Sequence, residues 1–475
     1  MATQQTSRDY AEAAGPRVSQ RALTIGLCAT VVAIAFETIA VATAMPVAAR
    51  DLAGLRHYAW VFSLFLIGML FATVVCGRIS DRIGPAKPLL GGLVIFLAGL
   101  IVAGTAQHFV QLLAGRLVQG LGSGAMSVAI YVCVALAFGR RQRPKMFTYL
   151  STAWVLPSFV GPPAAAWLTQ NLSWQWVFFA VIPLVLFGGA MALPSLLRMM
   201  RSYQPSDPDD QKPAPLWAAG LLAVAAATLQ LAGQQPAWVT VVLVIGGLAG
   251  LLVALPPLMP PGFLRFPRGI SQVIQTRGLL AGAFFGGEVF VPLMLVEQRG
   301  VPLFQAGAVL TVGAVGWATG SWLQARPWLR IRRDLLITVG CWSVTLGLAL
   351  VGLIAFVPTL PYVLVAVSWI FAGLGMGLAT SSTSLAVMSL SAAAEQGRNA
   401  SSLNVSDALG SGIFVGLAGT VFAAVQPSGN LALTFGLVEL SMAVVALLSV
   451  LTSLRIGVCA TSLHLIDPIQ ERSVS

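Results

Sequence analysis

Charge is scarce in this chain. Of its 475 residues only 9% are Asp, Glu, Lys or Arg, while 57% are hydrophobic. So few charged side chains cannot clothe a soluble body of that size, so the composition excludes a water-borne globular protein and points to the bilayer. Histidine and cysteine are scarcer still. His57, His108 and His464 fall in expected loops or in the tail, and Cys28, Cys76, Cys133, Cys341 and Cys459 are scattered without any CxxC spacing. That pattern argues against a zinc site, a disulfide framework and a dithiol redox centre. The cysteines read as small buried hydrophobes, and neither a metal nor a cofactor is expected. No apolar run holds a His or Cys cluster or a nucleophile–base pair, so the chain is not expected to be an enzyme.

What is present is apolar length. Fourteen runs approach the roughly 20 residues that a helix rising 1.5 Å per residue needs to cross about 30 Å of hydrocarbon. They cover 22–46, 58–80, 88–106, 109–137, 146–170, 176–198, 216–234, 237–258, 272–296, 303–325, 335–357, 361–390, 402–426 and 430–456. The expected protein is all-α and integral to the membrane. Basic residues are retained on the cytoplasmic side during insertion, and with the N-terminus inside, 22 of the 27 Lys and Arg fall in cytoplasmic segments. Only Arg50, Arg56 and Arg299 fall outside, with Arg116 and Arg277 within spans. This predicts a multi-pass protein of the inner (plasma) membrane with both termini cytoplasmic. It also accounts for the net charge of +11 as a collar against anionic lipid, with no nucleic-acid partner. The first 21 residues are polar and the run after them lacks a small-residue cleavage pattern, so the first span is expected to stay attached.

Short patterns recur at one offset. Gly120-Leu121-Gly122-x-Gly124 returns as Gly373-Leu374-Gly375-x-Gly377, an offset of 253; Phe159-Val160-Gly161 returns as Phe414-Val415-Gly416, an offset of 255; Glu37 and Glu288 stand 251 apart. Duplicated bundles related by an axis along the membrane normal have this signature. The Pro- and Asp-rich stretch 199–215 reads as a cytoplasmic linker. The two runs after it, joined by Gly233-Gln234-Gln235-Pro236, have no charge and no repeat partner. The expected organisation is a tail 1–21, a six-helix bundle 22–198, the linker, an inserted pair 216–258, a second six-helix bundle 272–456 and a tail 457–475.

One charged turn stands between two apolar runs: Gly77-Arg78-Ile79-Ser80-Asp81-Arg82-Ile83-Gly84-Pro85-Ala86-Lys87. It resembles the loop between spans two and three of major facilitator superfamily transporters, which runs Gly, three residues, Asp-Arg, one residue, Gly, then basic positions. Arg116-Leu117-Val118-Gln119-Gly120 resembles that superfamily's fourth-span motif. Fourteen spans with an extra central pair resemble its drug:proton antiporter subgroup. Glu37, with Ala44 seven and Pro46 nine residues later, is similar to the subgroup's first-span acid. That acid is usually Asp with an Asn five later, where this chain has Ala42. Pro157, Gly161 and Pro162 resemble part of its fifth-span signature, a helix-bending motif. The resemblance implies the major facilitator fold, two pseudo-symmetric six-helix bundles plus two inserted central helices, and proton-coupled export of amphipathic drugs or toxic metabolites by a monomer.

The candidate residues follow. Glu37 lies about 4–5 Å from the middle of its span at 1.5 Å per residue. An ionised carboxylate there costs roughly 2.5–3.5 kcal/mol unless protonated, paired or wet, which suits a proton carrier; a merely hydrogen-bonded Glu is the alternative. Glu288, after Phe284-Phe285-Gly286-Gly287, is its partner at matching depth, for protons or for cationic substrate. Arg116 is expected to be a fixed charge beside a carboxyl such as Glu37, or else to snorkel to the interface. Trp369 occupies its repeat position. Glu439, in the usually peripheral last span of its half, and Asp407, close to the cytoplasmic end of its helix, are read as structural. Gln119, Met126, Phe284, Phe285 and Met376 are expected to line a central cavity. Gly77, Asp81, Arg82 and Gly84 are expected to form a conformational latch against the start of span thirteen, near Asn399 to Ser402. Its second-half counterpart, at Gly320-Ser321-Trp322-Leu323-Gln324, lacks the acid. Two other readings remain: export of one defined metabolite, siderophore or envelope lipid, and a non-transporting membrane receptor.

Overall fold

In lipid every backbone N–H and C=O must find a partner within the protein, and a helix satisfies them within one segment. The structure, a computed structural model, describes residues 20–139, 142–202, 215–232, 235, 237–260, 262–265, 267–326, 328–329, 331–391 and 396–459. Most of the linker 199–215, part of the turn Gly233 to Pro236, Arg140, Arg141, Arg330 and nearly all of both tails, His464 included, lie outside the described residues. Within them the chain is helical and has no strand. The long helices are α1 (Gln20–Asp51), α2 (Trp60–Ile83), α3 (Ala86–Gly104), α4 (Phe109–Ala137), α5 (Arg143–Asn171), α6 (Ile182–Ser202), α7 (Leu216–Ala232), α8 (Ala237–Ala254), α9 (Ile270–Glu288), α10 (Leu303–Gln324), α11 (Arg333–Ala355), α12 (Val363–Leu390), α13 (Gln396–Val425) and α14 (Leu431–Ser453). Each expected run overlaps one of these helices, with breaks in the sixth and the ninth. Eleven helical segments among the described residues are long and apolar enough to cross a membrane, and α7 and α8 are shorter apolar helices.

Two interruptions have clear causes. Pro292 has no N–H to give to the carbonyl of Glu288, so α9 stops there and resumes as Phe290–Glu297. The single turn Trp176–Phe179 precedes α6, where one continuous span was expected. By contrast α5 runs unbroken through Pro157, Pro162 and Pro163. Several intramembrane hydroxyls are satisfied by their own helix, as where Thr30 donates to Gly26 O at 2.9 Å and Thr38 to Ile34 O at 2.8 Å. At the end of α2, Gly84 takes φ +81° and donates its N–H to Ser80 O, a conformation that excludes most side chains.

Packing repeats eight helices on. In the first six helices α1 lies on α5 and α6, α4 on α2 and α3, and α3 on α6. In the last six, α9 lies on α13 and α14, α12 on α10 and α11, and α11 on α14. The closest approaches repeat too. A Cβ on Gly120 would strike Phe65 O and one on Gly124 would strike Met69 O, while the same atoms on Gly373 and Gly377 would strike Gly313 O and Trp317 O. The offset is therefore 253 between α4 and α12 but 248 between α2 and α10. That corrects the alignment of the charged turn: Gly320 stands opposite Ala72, and α10 ends at Gln324 before the register reaches a counterpart of Asp81. The acid is absent from the second half in this register as well.

The first and last six helices meet where α2 touches α13 and α5 touches α10, and α7 packs on both α2 and α13 with α8 outside it. At the end of the molecule that carries Arg50, this seam is tight. Arg50 Nη2 pairs with Glu297 Oε1 at 2.5 Å, Tyr58 Oη donates to Val289 O at 3.1 Å, and a Cβ on Gly307 would lie 2.9 Å from Thr43 Cγ2 and 3.3 Å from Pro162 Cβ. At the opposite end, marked by Ser80, α5 is loose. Phe147, Thr148 and Tyr149, in the second turn of α5, are all exposed, and three successive residues sweep about 200° of a helix, which is more than one open face.

Candidate functional site

Glu37 and Arg116 meet. Both are fully enclosed, on α1 and α4, and Arg116 Nη1 donates to Glu37 Oε1. The guanidinium is held on three further sides: Nε donates to Val61 O at 2.9 Å, Nη1 also reaches Gln119 Oε1 at 2.6 Å, and its carbon lies 4.4 Å from the centre of the Phe65 ring. Arg116 therefore does not snorkel to the interface. The carbonyl of Val61 and the ring of Phe65, both on α2, were not anticipated. Glu37 Oε2, Gln119 Nε2, Ser123 Oγ and Thr43 Oγ1 have no hydrogen-bond partner among the described residues. The result is a buried acid with one oxygen committed to a permanent cation and the other open, an arrangement able to take up a proton or a donor.

The matching place between α9, α10 and α12 is aromatic. Trp369, fully buried at the repeat position of Arg116, stacks on Phe284 with ring centres 5.0 Å apart. Phe284 also meets Trp317 and Phe285 edge-on, each at 5.5 Å. Gly313 stands where Phe65 stands in the first half, and the missing side chain is what lets the indole in. Glu288 is not drawn into this cluster. It is half-buried at the α9 break and makes no hydrogen bond or ion pair among the described residues.

Of the expected lining residues, Gln119, Met126, Phe284 and Met376 are enclosed and Phe285 is half-buried. Met126 packs on α3, where a Cβ on Gly92 would lie 2.9 Å from its Cγ. Asp81 and Arg82 are exposed at the Ser80 end. Around the start of α13, Asn399 Nδ2 donates to Ser391 Oγ at 3.0 Å and Ser402 Oγ donates to Leu258 O at 3.1 Å. Gly77 has room, since the nearest atom to a Cβ there, on Val128, is 3.8 Å away. Gly161 faces Ile39 and Ala40 of α1 at ordinary contact distance, and Pro162 faces Gly307 of α10.

Two further acids stand out. Glu439 of α14 is fully buried beside Gly287 of α9, with neither oxygen hydrogen-bonded among the described residues. Asp407 of α13 pairs with Arg277 of α9 at 2.6 Å. Their sequence signal was the same as that of Glu37, an acid in an apolar run, and only packing distinguishes the three.

Residues 25–415 match the Major Facilitator Superfamily. The chain belongs to that family. It is 26% identical over 321 residues to Multidrug resistance protein 3 of Bacillus subtilis, a match covering 64% of this chain and 61% of that one. It is 24% identical over 355 residues to the Multidrug efflux pump SdrM of Staphylococcus aureus, covering 72% and 76%. The chain thus matches under two thirds of the length of the first of these relatives. Among solved structures, a POT family transporter in complex with a thioalcohol-conjugated peptide superposes with a TM-score of 0.68 at 15% identity, covering 92% of this chain and 97% of that one. This superposition speaks for the fold alone.

Proposed function

We propose that the protein is a fourteen-span, proton-coupled exporter of amphipathic drugs or toxic metabolites, working by alternating access from the inner membrane with both termini cytoplasmic. The observation that carries this reading is the enclosed Glu37–Arg116 pair with its free carboxylate oxygen. The span count takes in α5 as well as the shorter α7 and α8, and the packing pattern repeated between the first and last six helices supports two bundles flanking an inserted pair. The multidrug relatives support the substrate class. With the Ser80 end cytoplasmic, the tight Arg50 seam and the loose α5 correspond to an inward-facing state. A second reading, export of one defined metabolite, is favoured by 31% identity over 255 residues to the Acurin A biosynthesis cluster MFS-type transporter of Aspergillus aculeatus.

The driving force is sufficient. One proton moving inward gains about 2.3 kcal/mol from 100 mV and about 1.4 from one pH unit. A neutral solute could be held at a gradient of several hundredfold on that supply, whereas an electroneutral exchange with a monovalent cation uses only the pH part. The test is transport into proteoliposomes under an imposed pH gradient. Glu37→Gln is expected to abolish gradient-driven accumulation and Glu288→Gln to reduce it; full accumulation by both refutes the proton roles.

A further inference from the structure

Arg277 and Asp407 form a second intramembrane ion pair, apart from Glu37, that the export reading leaves unused. Arg277 stands seven residues into α9 and Asp407 eleven into α13, about 10 and 16 Å from the Ser80 end at 1.5 Å per residue. Asp407 was expected near the end of its helix, but α13 begins at Gln396 and so carries it deeper. Arg277 Nε donates to Asp407 Oδ1 at 2.6 Å and Nη1 donates to Thr380 O at 2.9 Å and Thr383 Oγ1 at 3.3 Å, while Nη2 reaches Oδ2 only at 3.5 Å. The guanidinium is thus engaged with α12 and α13, and one carboxylate oxygen is loosely held.

Exposure points the same way. The Asp407 side chain is 30% open and that of Arg277 is 15% open. A carboxylate at this depth turned toward acyl chains would cost roughly 2.5–3.5 kcal/mol, so the open side faces water. Asn404, one turn nearer the Ser80 end of α13, is exposed as well. Seven residues beyond Arg277, and so on the same face of α9 about 10 Å further in, stands Phe284, with Phe285 and Trp317 half-buried around it. An acceptor about 16 Å in and rings about one turn above it match a molecule with a cationic head and a flat apolar body.

We infer that Asp407, braced by Arg277, is the recognition carboxylate for cationic amphipathic substrates entering from the Ser80 end, with the Phe284 cluster receiving their rings. This rests on the export reading for its purpose but is tested without a gradient. The probes are ethidium, a planar monovalent cation, and Nile red, an uncharged dye of similar flatness, titrated by fluorescence into the full chain in lipid nanodiscs. Asp407→Asn is expected to weaken ethidium binding about tenfold while Nile red binding stays within about twofold, and Asp407→Glu is expected to recover most of the loss. Equal loss for both dyes, which marks a folding role, overturns the inference. So does unchanged ethidium binding by Asp407→Asn, or no saturable ethidium binding by the wild type. Failure here leaves the proton role of Glu37 intact, and failure of gradient-driven transport leaves this site intact.

Discussion

The first and second halves solve the same packing problem with opposite chemistry. Between α1, α2 and α4 the central residue is Arg116, capped by Phe65 and committed to Glu37; between α9, α10 and α12 it is Trp369, admitted by Gly313 and stacked on Phe284. The backbone approach beneath both is the same, glycine against a carbonyl, at Gly120 and Phe65 O in one and at Gly373 and Gly313 O in the other. The duplicated scaffold therefore holds a charged centre between α1, α2 and α4 and an uncharged, aromatic one between α9, α10 and α12. On the export reading the first centre serves coupling and the second offers apolar surface to the substrate.

The strongest way to break this comparison is Arg116→Ala. It leaves Glu37 as an enclosed carboxyl with no cation, so the expected loss is about 3–5 kcal/mol of stability together with transport, read as a lowered thermal unfolding midpoint in detergent and silent proteoliposomes. Glu37→Gln combined with Arg116→Met removes both charges and should regain most of that stability while transport stays absent. If the double variant is no more stable than the single one, the pair is not what holds α1 to α4.

Trp369→Ala tests the aromatic centre. Loss of the stacked indole should cost about 3 kcal/mol and weaken substrate binding, while whatever transport remains keeps its dependence on the pH gradient. A change in that dependence would contradict the division of labour drawn here. The smallest expected effects compare two glycines of the charged turn. Gly84→Ala forces a side chain onto φ +81° and should cost about 1–3 kcal/mol. Gly77→Ala, with open space around it, should stay within about 0.5 kcal/mol. Equal costs in thermal melts would mean that the turn is not held in this conformation.

The helices were largely legible because each is an uninterrupted apolar run, and the run 109–137 coincides with α4 to the residue. Glu37 and Arg116 were legible as candidates, since an ionisable side chain in such a run needs a reason. What sequence did not reveal was the company these groups keep. Phe65 and Val61 carry no polar signal, yet they bind Arg116. Asp407 looked terminal because hydropathy starts the run only at Ser402, whereas the polar stretch from Gln396 to Asn399 is already helical. Glu439 looked peripheral, and its enclosure beside Gly287 is a product of how α9 and α14 pack. The repeat was visible in its offset near 253, but the shorter offset of 248 for α2 and α10 emerged only from which glycine abuts which carbonyl.

Sequence alone determined that this chain is helical and lies in a bilayer, because scarce charge and runs of about 20 apolar residues leave no other way to satisfy the backbone. Tertiary structure decided which acid faces which base, since residues 79 positions apart, as Glu37 and Arg116 are, become neighbours only through the crossing of two helices. It also decided that the corresponding place in the second half would be closed by stacked rings.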